Sequence, residues 1–317
     1  MSGLFHFYFF FQFQKRYAMW FHNLQLYRLT DAWALDAGRL QAKLARHAFH
    51  SCNPTDMQAS GWVPPRGMDD ELVLASRKQL LICLGVEQKL LPASVIRQYA
   101  QDRLITLEAQ QGFKPGRKQV MEVREAITAE LLPRAFVKRR LTYAWIDPLG
   151  NWLAIDAASQ AKADEFIEKL KLSLDELPLK LLRTRLAPAT AMTDWLSAGE
   201  APAGFTIDRD CELREPSGER ATVRYARHTL EAAEIGRHIA GGKTATRLAL
   251  TWQERISLVL TEELQIRRLA FLDILKEEVG RQTENADELF EADFILMSGE
   301  LSKMLSQLTE ALGGEAE

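Results

Sequence analysis

Asp70, Glu87 and Lys89 have the residue types and spacing best suited to chemistry in this chain. Asp70 stands near the start of one strand of an expected hairpin and Glu87-Gln88-Lys89 ends the next, so the three converge. Two carboxylates and a lysine arranged in this way can hold Mg²⁺ and activate water on a phosphodiester, as in a Mg-dependent nuclease. The same residues serve equally as a solvated turn, Asp69-Asp70-Glu71, and a surface pair, Glu87 with Lys89, and spacing alone favours that plainer reading. Gly241-Gly242-Lys243-Thr244 invites comparison with a phosphate loop, but position 237 is Arg where the loop requires Gly, and a helix precedes the glycines instead of following them. They read as a helix stop. His47, His50 and Cys52 lack the fourth ligand of a zinc site, and no nucleophile elbow, paired thiols or Rossmann glycines occur. Catalysis and a bound cofactor therefore have no support in the residues.

A different chemistry is offered by Leu131-Leu132-Pro133-Arg134-Ala135-Phe136-Val137-Lys138-Arg139-Arg140. Pro133 stops a long helical pattern and hands it to a strand, expected over Val137 to Ile146, that opens with three consecutive cations. Side chains alternate along a strand, so Lys138 and Arg140 share one face and Leu141, Tyr143 and Trp145 the other. One face is expected to pack and the other to meet anions. Phe136 belongs to neither hydrophobic pattern.

The elements that position these residues can be read in order. Residues 1–18, nearly all aromatic from Leu4 to Phe13 with Lys15 and Arg16 after, have neither the charge order of a secretory signal nor the length to span a bilayer. They read as a disordered extension foreign to the rest of the chain. From Met19 the expectation is a strand over Trp20–Leu29, a helix over Asp36–Ala48, a rigid loop at Gly61–Pro65, and a hairpin of Leu72–Ala75 with Gln79–Val86. A helical hairpin over 92–132, broken at Gly112–Gly116, is expected to project from the sheet, with Arg117 and Lys118 opening its second arm. Strand Trp152–Ile155, a helix bearing Phe166, Ile167 and Leu170, and a short strand after Pro178 come next. The Ala- and Pro-interrupted stretch Leu186–Thr193 separates an N-terminal region, 19–185, from a C-terminal one, 186–317. The latter is expected to hold a short helix at Trp195, a strand at Val223, a helix over Thr229–Ile239 and strands Lys243–Trp252, Arg255–Leu260 and Leu264–Leu269. Alternation in the first of these sets Lys243 and Arg247 beside Ala245 and Ala249 on a smooth basic face, which Arg255 and Arg267 extend. An amphipathic acidic helix closes the chain.

The 317 residues are 47% hydrophobic, enough to bury one elaborate core or two. Three dispersed cysteines fit a reducing compartment better than a disulfide framework. The formal net charge is −3, but residues 19–140 carry 18 Lys and Arg against 12 Asp and Glu, whereas 273–317 carry 3 against 12. Binding follows the local field, so this asymmetry leaves a polyanionic partner open despite the sum. Composition and pattern together indicate an α+β chain with antiparallel sheets and packed helices.

Several stretches together resemble one family. Met19-Trp20-Phe21-His22-Asn23-Leu24 with Tyr27-Arg28-Leu29, Gly61-Trp62-Val63-Pro64-Pro65, Leu131-Leu132-Pro133-Arg134-Ala135-Phe136, Asp293 to Leu301 and Glu310-Ala311-Leu312-Gly313-Gly314-Glu315 are similar, in the same order, to the bacterial recombination-associated RdgC proteins. The resemblance runs from Met19 to the C-terminus; residues 1–18 have no counterpart in it. It implies a cytoplasmic, nucleoid-associated protein without catalysis, built as a horseshoe-like subunit that forms a ring-shaped homodimer, encircles double-stranded DNA with little sequence preference and restrains RecA-dependent recombination. It further implies a subunit contact to which Phe136 belongs, with the neighbourhood of Arg227 and His228 on the opposite side of that contact. The ring's inner wall is then the shared destination of the basic features, and Arg134, Lys138, Arg139, Arg140, Arg117, Lys118, Arg224, Arg227, Lys243 and Arg247 are the candidate DNA-binding residues, among which the resemblance itself does not select. The family's hairpin is usually richer in lysine than Phe113–Arg124 is here.

Overall fold

The apolar run from Leu80 to Val86 forms the spine of the first sheet. Such a run makes a strand buried on both faces, and in the computed structural model it lies in the twelve-residue β4 (Gln79–Leu90). The structure describes residues 19–30, 33, 36–67, 71–275 and 285–316; the extension 1–18 and the candidate ligand Asp70 lie outside these. β4 pairs along one edge with all but the last residue of β5 (Phe136–Asp147) and along the other with β2 (Gln58–Val63) and β3 (Val73–Ser76). β6 (Trp152–Ile155), β1 (Gln25–Leu29) and β7 (Leu179–Leu181) continue beyond β5, all antiparallel. The Gly61–Pro65 stretch, expected as a loop, contributes Gly61 to Val63 to β2. Gly61 is required there because a Cβ would stand 2.4 Å from the Phe49 backbone, where the chain after α1 (Ala37–Ala45) crosses β2.

Each face of this sheet has its own cover. Leu80, Ile82, Leu84, Ala144, Ile146 and Trp62 pack with Leu40 and Leu44 of α1 and with Phe166, Ile167 and Leu170 of α4 (Gln160–Ser173). Leu81 and Trp145 point the other way, into a core shared with a second sheet. That sheet has the order β12-β11-β10-β8-β9, from β8 (Phe205–Arg214), β9 (Thr222–Tyr225), β10 (Thr244–Trp252), β11 (Ile256–Thr261) and β12 (Ile266–Phe271). Its inner face is packed by α5 (Pro188–Ala198), by Ile235 of α6 (Ala232–Ala240) and by the closing helix α7 (Ala286–Ala311).

α7 ties the two sheets together. Ser302 donates to the buried carboxylate of Asp147 on β5 at 3.2 Å, and Gln307 accepts from the Trp252 indole on β10 at 2.6 Å. After the helix, Gly313 and Gly314 take positive φ, +80° and +86°, and turn the chain back, so that Glu315 reaches Arg28, itself stacked 3.7 Å over the Trp152 ring. Glycine alone adopts such angles without steric cost.

The helical hairpin consists of α2 (Ala93–Gln111) and α3 (Arg117–Leu131), joined by a turn with Gly112 in the left-handed region. Arg103 of one arm pairs with Glu130 of the other at 3.1 Å, while Ala100 and Ile127 are the residues the arms bury. Tyr99 is exposed, because the arms close on Ala100.

Candidate nucleic-acid interface

At the start of β5 the chain leaves a short 3-10 turn, Leu132–Arg134, in which Leu132 is buried and Pro133 directs the backbone outward. Phe136 emerges with 83% of its surface exposed, beside Leu90 of β4, its register partner, and Val137, which are also exposed. Pairing puts Phe136, Lys138, Arg140 and Thr142 on one face and Val137, Arg139, Leu141 and Tyr143 on the other, the expected parity. The expected division of labour does not hold. The Lys138 and Arg140 face runs straight into the core with Ala144 and Ile146, and Arg140 makes an ion pair with Glu165 of α4. Arg139 is also engaged, its Nε donating to Glu87 Oε2 at 2.6 Å. Arg134 and Lys138 are exposed and make no ion pair among the described residues.

The nuclease constellation takes a different form from the one spacing suggested. Glu87 is 3% exposed, and its second oxygen accepts the Cys52 amide at 2.8 Å. Lys89, buried on the same face of β4, donates to the carbonyls of Asn53 and Pro54 at 2.9 and 2.7 Å. Both residues thus anchor the 51–56 loop to the sheet instead of facing a solvent-filled site. This corrects the alternative of a surface pair as well. No cluster of three or more His, Cys, Asp or Glu suited to a metal ion occurs among the described residues.

In the second sheet the expected alternation breaks at Thr246. Ala245 pairs with Leu213 and Arg247 with Glu212, so Thr246 is an extra residue on β10, a β-bulge. Ala245 consequently faces the core with Leu248, correcting the placement of Ala245 beside Arg247 on the outer face. Lys243 precedes the strand, in the turn made by Gly241 and Gly242. Arg255 is not part of the outer face either. Its Nε lies 2.9 Å from the buried carboxylate of Glu300 on α7. Arg247 and Arg224 do lie on the outer face, flanking Glu212 in one cross-strand row, and Arg267 of β12 stands in the adjoining row, Ala249, Val259, Arg267.

The Arg227 and His228 turn is held by Asp210. The Arg227 amide donates to this carboxylate at 2.6 Å, with Arg227 at φ +54°, and Arg268 adds an ion pair at 2.7 Å. These contacts, the amide first, hold the Asp210 carboxyl below its ordinary value. Both Arg227 and His228 remain exposed. Arg117 and Lys118 are exposed at the start of α3, Lys118 lying 3.9 Å from Glu122. The structure therefore places the proposed cations in three separate regions: the β5 start, the α3 start and the outer face of the second sheet with its adjoining turns.

Residues 19–315 match the family described as "Putative exonuclease, RdgC". The chain belongs to the RdgC family. Among its relatives it is 53% identical over 300 residues to the recombination-associated protein RdgC of Dechloromonas aromatica, covering 94% of this chain and 98% of that one. It is 53% identical over 299 residues to the RdgC of Janthinobacterium sp., and 48% identical over 297 to that of Bordetella pertussis, each covering 94% of this chain and 99% of the relative. The RdgC match begins at Met19, where the composition changes. No helix among the described residues is long and apolar enough to cross a membrane.

Sequence reasoning missed β8, which carries Glu212 and Asp210. The alternation of Phe205, Ile207, Cys211 and Leu213 signals it, but Asp208-Arg209-Asp210 and a register irregularity interrupt the pattern. Glu165, the partner of Arg140, has no local signal at all, since 25 residues separate the two.

Proposed function

We propose that the chain binds double-stranded DNA without sequence preference and without catalysis, as a ring-shaped, nucleoid-associated cytoplasmic homodimer of horseshoe-like subunits that restrains RecA-dependent recombination. The observation that carries this reading is the start of β5, where Phe136 stands exposed next to Arg134 and Lys138, cations with no acidic partner among the described residues. An exposed aromatic at a strand end suits a subunit contact, and free cations beside it suit phosphates lying along the joined surface. Membership of a family of recombination-associated proteins supports the same partner. Contacts of this type position the protein on the backbone and read no bases. Affinity then falls steeply with salt as counterions are released.

The family description also names an exonuclease, and this favours a second reading: Mg²⁺-dependent hydrolysis using Asp70, Glu87 and Lys89. The engagement of Glu87 with Arg139 and the Cys52 amide weighs against it, because metal binding would require this buried carboxylate to give up both. One experiment separates the two. Purified protein is incubated with supercoiled plasmid and Mg²⁺, and retention of circular and linear duplex is followed across a salt series. Steep salt dependence, similar retention of unrelated sequences and no nicking are expected. Cutting that disappears in Asp70→Ala or Glu87→Ala, with affinity unchanged, establishes the nuclease instead.

A further inference from the structure

The outer face of the second sheet brings two arginines together without a carboxylate between them. Arg247 of β10 pairs with Thr261 of β11, and two residues along β11 Val259 lies between Ala249 and Arg267 of β12. Arg247 and Arg267 therefore project from one face, two strands and two residues apart, about 12 Å at the backbone by ordinary strand spacing and rise. The positions between them, Ala249, Val259 and Thr261, are small or β-branched and leave long side chains free to converge above them. Arg247 keeps 56% of its side chain exposed, and its one ion pair among the described residues is a loose one, 4.0 Å, to Glu212. Arg267 is half-buried and donates to the neutral Gln265. Its pKa is lowered, first by burial and then by the positive charge of Arg247, while Glu263 acts weakly in the opposite sense. Two guanidiniums placed so that one feels the other repel until an anion bridges them, and a phosphate oxyanion matches their donor geometry.

We propose that Arg247 and Arg267 form a two-arginine clamp for a single backbone phosphate of duplex DNA, with Glu212 as the internal acid that competes with the phosphate for Arg247. The clamp rests on the reading of the chain as a duplex-binding protein and adds Arg267 and Glu212 to the residues that serve it. Glu212 is held by the Thr246 hydroxyl, which donates to it at 2.8 Å from the bulge, so the acid stays beside Arg247 rather than swinging to Arg267.

The test uses the full chain and Arg247→Gln, Arg267→Gln, the double variant and Glu212→Gln, with duplex affinity measured by anisotropy across a salt series. Each single arginine variant is expected to weaken binding. The double variant is expected to reduce the salt slope by about 0.9, the loss of one phosphate, where two independent contacts give about 1.8. Glu212→Gln is expected to tighten binding. Thermal melts in inorganic phosphate and in chloride, at matched ionic strength, supply a readout independent of DNA: phosphate is expected to raise the parent's Tm more than the double variant's. A slope change near 1.8, an unchanged double variant, an equal phosphate response, or weaker binding by Glu212→Gln overturns the clamp while leaving duplex binding by the parent intact. Failure of the parent to bind duplex at low salt overturns the underlying reading instead, and the phosphate melts then judge the arginine pair alone.

Discussion

The Arg139 guanidinium donates to Glu87 across the β4–β5 pair at 2.6 Å, so the middle cation of the basic run is engaged by the acid that a nuclease would need. Glu87 is buried while Arg139 is half in solvent, and this asymmetry sets the consequences of removing either partner. Arg139→Gln leaves a buried carboxylate with the Cys52 amide as its remaining donor at that loop, and is expected to cost about 1–2 kcal/mol, discounted for the exposure of the arginine. Urea titration followed by circular dichroism measures it. A variant as stable as the parent but deficient in duplex binding assigns Arg139 to DNA instead.

Phe136 contributes nothing to the core of the subunit, so its replacement should act on association alone. Phe136→Ser is expected to change unfolding free energy by no more than about 0.5 kcal/mol, as for an exposed site, while shifting the light-scattering mass toward the monomer and weakening retention of circular DNA. A full dimer at low micromolar concentration, or a large fall in stability, refutes the contact.

Asp210 provides a pH dependence with a defined sign. Its folded-state pKa is lowered, by the Arg227 amide first and by Arg268 next, from the ordinary 3.8. Its contribution to stability is therefore fully present above the unfolded value and is lost as pH falls through the folded one. Melts of the parent and Asp210→Asn are expected to differ most near neutrality and to converge in acid. A difference that grows on acidification contradicts the assignment. The same variant should loosen the Arg227 and His228 turn, read as faster amide exchange there.

What the sequence disclosed depended on how local its cause was. The helical hairpin, the stop at Pro133, the parity of β5 and the glycine turn after α6 follow from neighbouring residues, and they appear within a few positions of where patterning puts them. The fates of Arg139 and Arg140 depend on Glu87 and Glu165, 52 and 25 residues away, partners brought in by sheet register and by α4. The inversion of Ala245 comes from a single extra residue at Thr246, which no period-two reading detects because the hydrophobic alternation resumes immediately after it. Likewise, Arg255 reads as a strand cation but lies in a turn that meets Glu300 on a helix 45 residues on.

Lys138 and Arg140 share a face of β5 yet differ in what they touch, which makes them a paired test of where duplex binding lies. Arg140 is largely covered and bound to Glu165, which also accepts from Gln58 at 2.8 Å, so Arg140→Ala removes a partly buried charged hydrogen bond. A cost of about 2 kcal/mol is expected from such a loss. Lys138 is exposed without an ion pair among the described residues, so Lys138→Ala should leave the melt unchanged. On duplex DNA the order reverses: Lys138→Ala is expected to lower the salt slope by about 0.9 with equal effect on unrelated sequences. Arg140→Ala should preserve the slope at temperatures where it remains folded. Equal slopes for parent and Lys138→Ala remove the β5 start from the interface. A slope reduced by Arg140→Ala alone means that Arg140 leaves Glu165 for phosphate when DNA binds, and Glu165→Gln should then tighten binding.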